Sequence, residues 1–358
     1  MTPKYLRLSN ILKEQVRISL ANGEDKLPTE KSLCEKYGVS RQTVREALAI
    51  LEKENLILKK QGSGIYINYP ANSGRDKRIA LLLAADNEYI FPSIIKSLRI
   101  QFEKSGYVMD VLLHDGDYSI ERSLLMEVAQ KKYSGIIVQP IRSSLPGPNA
   151  ELYETLRDSG CKVLFLWGLH PNMSSFPCVR ADDVFGGYIA AKHLINNGHL
   201  NISLLMNRDD ITGLNRYSGL LMAISDSGIP IKNNTAYWYF DEDINALHSF
   251  HDLTFLETFI HSLSGSTAVV CHNDEVAYWL IKELEKSGLK VPEDISVVSF
   301  DNSYLSDFAS SHITSLSHNK GEFEKQVCEY MLNLINGKEY SLSNLSWKLI
   351  KRSSDSSI

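Results

Sequence analysis

Apolar positions near the start of the chain recur every three to four residues. Leu8, Ile11, Leu12, Val16 and Leu20, with Tyr5, line one face of a predicted helix that ends at Asn22-Gly23. Thr29 is placed to cap a second helix over Glu30 to Tyr37, and Gly38 supplies a tight turn. Ser40 is placed to cap a third helix running to about Glu54. The period then changes to two. Ile57, Lys59, Ile65 and Ile67 alternate around Gln61-Gly62-Ser63-Gly64, which predicts a strand, a turn and a strand. Residues 69–77 hold turn formers and no apolar period, so they read as a linker closing a first domain of residues 1–68.

From Arg78 onward short apolar runs alternate with amphipathic stretches. Predicted strands include Ile79–Ala84, Val108–Leu113, Ile136–Val138, Val163–Trp167, Ile202–Met206, Thr235–Tyr239, Ala268–Cys271 and Ile295–Phe300. Predicted helices carry Ile94, Ile95, Leu98 and Phe102, then Leu124 to Val128, then residues from Ala181 to Ile195, Leu214–Ile224, Leu253–Ile260 and Val276–Leu284. Such alternation means parallel sheets covered on both faces. Residues 78–346 exceed one ordinary core, so two α/β lobes are expected, followed by a polar, frayed tail over residues 347–358.

Charge sharpens this division. Residues 1–68 hold 12 lysines and arginines against 8 acids, a balance of +4, whereas the remainder holds 26 against 35, a balance of −9. A small basic unit on an acidic body suggests that only the front end meets a polyanion. Five scattered cysteines without a C-x-x-C pair suit thiols in a reducing compartment. No apolar run opens the chain or approaches a membrane span, so a cytoplasmic protein with no membrane partner is expected.

The third predicted helix carries the chemistry of the front end. Val44, Ala47, Leu48 and Leu51 face inward, while Arg41, Gln42 and Arg45 lie on other faces near its N-terminal end. Arginine forks grip guanine edges or phosphates and glutamine pairs with adenine, as a major-groove helix requires. Arginines on a helix are by themselves more often a solvated face; the turn glycine, local charge and hairpin reverse those odds. Leu27-Pro28-Thr29-Glu30, the stretch Tyr37 to Leu48 and Gly62 to Ile67 resemble the winged helix-turn-helix of the GntR family. The resemblance implies a homodimer on double-stranded operator DNA. It assigns DNA contacts to Arg41, Gln42, Thr43 and Arg45, with support from Lys4, Gln61 and Gly62.

In the body, a cleft between two α/β lobes is the favoured place for a small ligand. Candidate polar groups are Arg142, Asp182, Arg216, Asn273, Asp274 and Asp301, with Tyr89 and Phe91 as an aromatic wall. Donors and acceptors beside an aromatic face suit a polyol. For each polar residue alone a surface or capping role is equally expected, and Asp182-Asp183 could simply start a helix. Val179 to Asp183 with Gly186-Gly187, Arg216 to Gly219, Asn273 to Ala277 and Val291 to Asp301 are similar to the effector domain of the LacI/GalR family. That resemblance implies a periplasmic-binding-protein-like fold, its lobes crossed three times by the chain. It places Arg216, Asn273, Asp301 and His318 on a sugar.

A GntR-type head on such a body resembles the arabinose-responsive repressors of Gram-positive bacteria. Gln139 stands where that subgroup is expected to carry an acid. The expected function is a repressor released from its operator by a pentose, with a hexose, phosphosugar or nucleoside as the alternative effector. No G-x-G-x-x-G, G-x-x-x-x-G-K-[ST] or H-E-x-x-H occurs, so neither an enzyme nor a cofactor is expected. His248 and His251 lie near Asp241, Glu242 and Asp243, but a solvated helix face outweighs a metal site there.

Overall fold

The computed structural model describes residues 4–21, 26–53, 56–60, 64–67, 76–86, 89–230, 235–318, 321–338 and 345–358. The chain divides into two compact units, Met1–Ser73 and Gly74–Ile358.

The first unit contains α1 (Lys4–Ala21), β1 (Lys26–Leu27), α2 (Glu30–Tyr37), α3 (Arg41–Lys53), β2 (Ile57–Lys60) and β3 (Gly64–Ile67). The Thr29 hydroxyl accepts from the Ser32 N–H at 3.3 Å and opens α2. Gly38 closes α2 at φ +62°, a left-handed geometry that costs a glycine little. The Ser40 hydroxyl accepts from the Thr43 N–H at 3.2 Å and starts α3. Leu8, Leu12, Val16, Leu33, Val44, Leu48 and Leu51 form the core, with Ile57 and Ile65 of the antiparallel sheet β1-β3-β2 packed against it. The two-residue strand β1 was not foreseen; Leu27 pairs with Ile65 and is buried. The predicted helix stop at Asn22-Gly23, the end of the third helix at Glu54 and the hairpin tip Gln61-Gly62-Ser63 lie outside the described residues.

The second unit starts at Gly74 and its first strand at Asp76. Asp76 and Lys77, read as linker, therefore belong to the body. Their polarity reflects an exposed strand end that nevertheless pairs Asp76 with Tyr133. Lobe 1 is a wholly parallel sheet in the order β5-β4-β6-β7-β8, built from β4 (Asp76–Leu83), β5 (Val108–Leu113), β6 (Tyr133–Val138), β7 (Lys162–Leu166) and β8 (Cys178–Val179). Helices α4 (Phe91–Lys104), α5 (Tyr118–Gln130) and α6 (Ala150–Asp158) connect these strands.

Lobe 2 begins with α7 (Asp183–Asn196). It continues through β9 (Ile202–Asn207), α8 (Ile211–Asp226), β10 (Thr235–Tyr239), α9 (Asp241–Phe250), α10 (Thr254–Ser262), β11 (Ala268–Cys271), α11 (Asp274–Lys286), β12 (Ser296–Phe300), α12 (Leu305–Phe308) and β13 (Thr314–Ser317). The chain then returns to lobe 1. Phe323, Val327 and Met331 of α13 (Glu322–Ile335) share a core with Ile79, Leu98 and Leu164. It passes back once more, and β14 (Lys348–Ile350) completes the sheet β10-β9-β11-β12-β13-β14. The lobes are thus crossed three times.

The tail is not frayed. Trp347 is buried and β14 pairs antiparallel with β13. The Ser354 hydroxyl donates to the Val297 carbonyl at 2.6 Å and accepts from the Thr314 N–H at 2.8 Å. Asp355 meets Nε2 of His193 at 2.6 Å. A serine-rich segment with no apolar period docks here because Ser354 and Asp355 find partners on β12, β13 and α7.

Helices α7 and α8 touch through their backbones. A Cβ on Gly219 would lie 1.8 Å from the Val184 carbonyl oxygen, and one on Gly187 would lie 2.0 Å from that of Arg216. This approach sets Arg216 of α8 against the first turn of α7.

Candidate functional site

Two sets of side chains converge, one on each unit. On the first, α3 buries Val44, Ala47, Leu48 and Leu51 and leaves Arg41, Gln42 and Arg45 exposed. The Arg41 and Arg45 side chains are 71% and 59% exposed. Both turn toward one oxygen of Glu30, which accepts from Nε of Arg45 at 3.1 Å and lies 3.8 Å from Nε of Arg41. Gln42 donates to Glu46 at 2.9 Å. Exposed pairs of this kind are worth about 1 kcal/mol or less, so a phosphate or base edge can replace them. Thr43 is half-buried and its hydroxyl bonds that of Ser40 at 2.9 Å, at the start of the helix. Lys4 is exposed at the first residue of α1. Gln61 and Gly62 lie outside the described residues.

In the body, Arg216 is the centre of a buried group. Its side chain is 6% exposed and that of Asp183 is 4% exposed. Nε donates to Oδ1 of Asp183 at 2.9 Å and a terminal nitrogen donates to the His272 carbonyl. The guanidinium lies 4.1 Å from the centroid of Phe300 and 5.5 Å from that of Trp347. Burial pushes the Asp183 carboxyl up to about 6, a rise that the Arg216 charge opposes.

The aromatic series continues into lobe 1. Trp347 packs at 5.2 Å from His318, which stacks on Phe323 at 5.8 Å; Phe323 stacks on Trp167 at 5.4 Å. Phe91 meets Trp167 edge-on at 6.1 Å. Burial lowers the His318 pKa, which favours the neutral ring.

Tyr89 joins the lobes through its hydroxyl. That hydroxyl donates to Oδ2 of Asp301 at 2.7 Å and accepts from the Asp274 N–H at 3.3 Å. The Asp274 carboxylate is buried and accepts from the Ser299 and Ser315 hydroxyls and the Ser303 N–H at 2.6, 2.7 and 2.6 Å. Burial, then the nearby Asp301 charge, push its pKa to about 7. Three buried polar atoms close to this group, Nδ1 of His272, the Ser303 hydroxyl and Nε1 of Trp347, have no hydrogen-bond partner among the described residues. Tyr89, Arg142, Trp167, Asp301 and Asn302 all have positive φ. Such strain gathers where a ligand or a moving part is held.

The structure thus brings together Tyr89, Phe91, Arg216, Asp274, Asp301 and His318. It places the others differently. Asp182 is exposed and caps α7 through the Phe185 N–H at 2.9 Å, so the inward acid is its neighbour Asp183. Oδ1 of Asn273 caps α11 through the Val276 N–H at 3.0 Å. Arg142 pairs with Glu242 of α9 and lies 3.8 Å from Asp209. Beside it, the Ser143 hydroxyl donates to Asp210 at 2.9 Å, a second seam between the lobes. Asp183, Phe300, Trp347, Trp167 and His272 were missed. A cap followed at once by a second acid was the one available signal, since the first faces the helix end and the second the interior. His248 bonds Glu275 at 2.8 Å and His251 meets Trp279 edge-on at 4.9 Å. No group of three potential metal ligands occurs among the described residues, nor any helix long and apolar enough to cross a membrane.

Known proteins share both halves. Residues 4–67 match the bacterial regulatory proteins of the gntR family, and residues 191–354 match the periplasmic binding protein-like domain. The arabinose metabolism transcriptional repressor of Halalkalibacterium halodurans is 30% identical over 94% of this chain and 90% of its own length. The repressor of the same name from Geobacillus stearothermophilus is 30% identical over 93% of this chain and 91% of its own. The LacI family regulator of Enterococcus faecium, solved with bound ribose, superposes with a TM-score of 0.67 at 21% identity, covering 78% of this chain and 99% of that one. This chain therefore belongs to the transcriptional repressors that carry a gntR-type DNA-binding head on a periplasmic-binding-protein-like body, and it is a regulator, not an enzyme.

Proposed function

We propose that the repressor binds its operator as a homodimer and is released when a pentose, arabinose first among candidates, enters the cleft between the two lobes of the body. The observation that carries this reading is Arg216, locked by Asp183 beside Phe300 and Trp347. A polyol needs charged donors and acceptors for its hydroxyls and an aromatic face for its C–H surface, and the cleft offers all of these. The names of the two repressor relatives and the ribose in the fold neighbour support the same class. A phosphosugar would want a further cation, and Arg142 is engaged by Glu242 and Asp209.

On the DNA side, Arg41, Gln42, Thr43 and Arg45 are the proposed groove contacts, with Lys4, Gln61 and Gly62 at the backbone. One short recognition helix reads few base pairs, so a second copy is needed for specificity. Coupling requires that the sugar bind one arrangement of the lobes better than the other. The test is operator binding by fluorescence anisotropy at fixed salt, with L-arabinose, D-xylose, D-ribose, D-galactose and their phosphates added in turn. Release by arabinose alone is expected. Release by a phosphosugar or hexose only, or by none of them, would sink the pentose reading. Sedimentation of the full chain as a monomer on operator DNA would remove the dimer.

A further inference from the structure

The Tyr89 hydroxyl donates one hydrogen bond to Asp301 and accepts one from the Asp274 amide. That is the pair of bonds a sugar hydroxyl makes with a carboxylate and a backbone N–H. The phenol comes from lobe 1 and both partners from lobe 2. Tyr89 holds a positive φ of 50°, a strained conformation for a tyrosine, so these bonds hold it against its own backbone preference. Tyr89 also lines a groove of about 360 Å³ shared with His248, His251, Tyr278, Trp279 and Tyr304. The ring has somewhere to go if its hydroxyl is displaced.

We infer that Tyr89 is a built-in surrogate for an effector hydroxyl, holding the lobes together at Asp301 and competing with the sugar for that carboxylate. This rests on the pentose reading for the identity of the competitor, but the contact itself does not. Burial and the Asp301 charge both keep the phenol protonated, as a donor must be. Entry of the sugar then exchanges an internal hydrogen bond for an external one. Tyr89 leaves Asp301 for the groove, which changes the surface formed by Trp279 and Tyr304. The effector signal would leave the cleft by this route.

The test is Tyr89→Phe in the full-length protein, which keeps the ring and removes the hydroxyl. Without sugar, amide hydrogen exchange in the segments around Asp274 and Asp301 should rise relative to wild type. With sugar, calorimetric titration of L-arabinose should show affinity raised about 3- to 10-fold, the worth of one hydrogen bond that no longer has to be broken. Unchanged exchange overturns the latch. Unchanged or weaker sugar binding overturns the competition, weaker binding meaning that Tyr89 instead holds the sugar. If neither protein binds any of the pentoses, hexoses or phosphosugars, the pentose reading falls, and the exchange measurement still decides whether Tyr89 holds the cleft.

Discussion

The head and the body solve opposite problems with the same residue type. Arg41 and Arg45 stand in solvent, tethered to Glu30 by contacts that cost little to break. Arg216 is sealed against Asp183 and two aromatic faces, where an unpaired charge would be costly. In the proposed function the first pair must be free to move to a large polyanion. The second must already be aimed when a small sugar arrives, because such a ligand has little binding energy with which to organise its site. On this proposal, exposure and burial of an arginine separate two kinds of recognition within one chain.

This contrast can be broken by mutation. Arg216→Ala leaves Asp183 buried without its partner, and the body should lose about 3–5 kcal/mol of unfolding free energy; urea unfolding of the full chain measures it, and a loss near zero would mean the pair is open to water. Asp274 gives the next largest effect, through pH. Its carboxyl titrates near 7 in the fold against an ordinary value near 4, so the folded state favours the protonated form. The stability it contributes is full at about pH 4 and is lost as pH rises through 7. The stability difference between wild type and Asp274→Asn should fall by about 2–4 kcal/mol over that window. Taking the difference cancels His272 and His114, whose lowered pKa values, to about 3 and about 4, act in the opposite sense.

On the head, Arg45→Ala should weaken operator binding by about 1–3 kcal/mol in anisotropy titrations. Its unfolding free energy should change by no more than about 0.5 kcal/mol. A large stability loss would place Arg45 in the structural class of Arg216. The smallest expected effect is Thr29→Ala. Removing the cap of α2 should cost the head about 1 kcal/mol and leave the unfolding of the body unchanged; scanning calorimetry separates the two transitions.

The same contrast explains what the sequence could show. The head was legible nearly residue by residue, with α2 at Glu30–Tyr37 as expected, because caps, the Gly38 turn and an apolar stripe are local signals. In the body, β11 fell on Ala268–Cys271 because a continuous apolar run marks a buried parallel strand, and the edge strand β10 fell on Thr235–Tyr239, a short run rich in aromatic residues. Elements that rely on neighbours were missed. Of the residues of α9, only Leu247 is buried; β8 has two residues, and β14 sits among serines whose partners lie on other strands. The same holds for the cleft. Arg216 and Asp301 were legible as polar groups at element ends, whereas Asp183, Phe300 and Trp347 join Arg216 only once α7, β12 and the tail are folded together.

The backbone contact between α7 and α8 has a mechanical meaning. Helices kept apart by long side chains can slide and roll by small rotamer adjustments. Helices meeting at Gly187 and Gly219 have no such cushion, and they must shift as one piece. A push delivered at Arg216 is therefore carried along both helices to their far ends without being absorbed between them, making this pair the stiff lever of lobe 2.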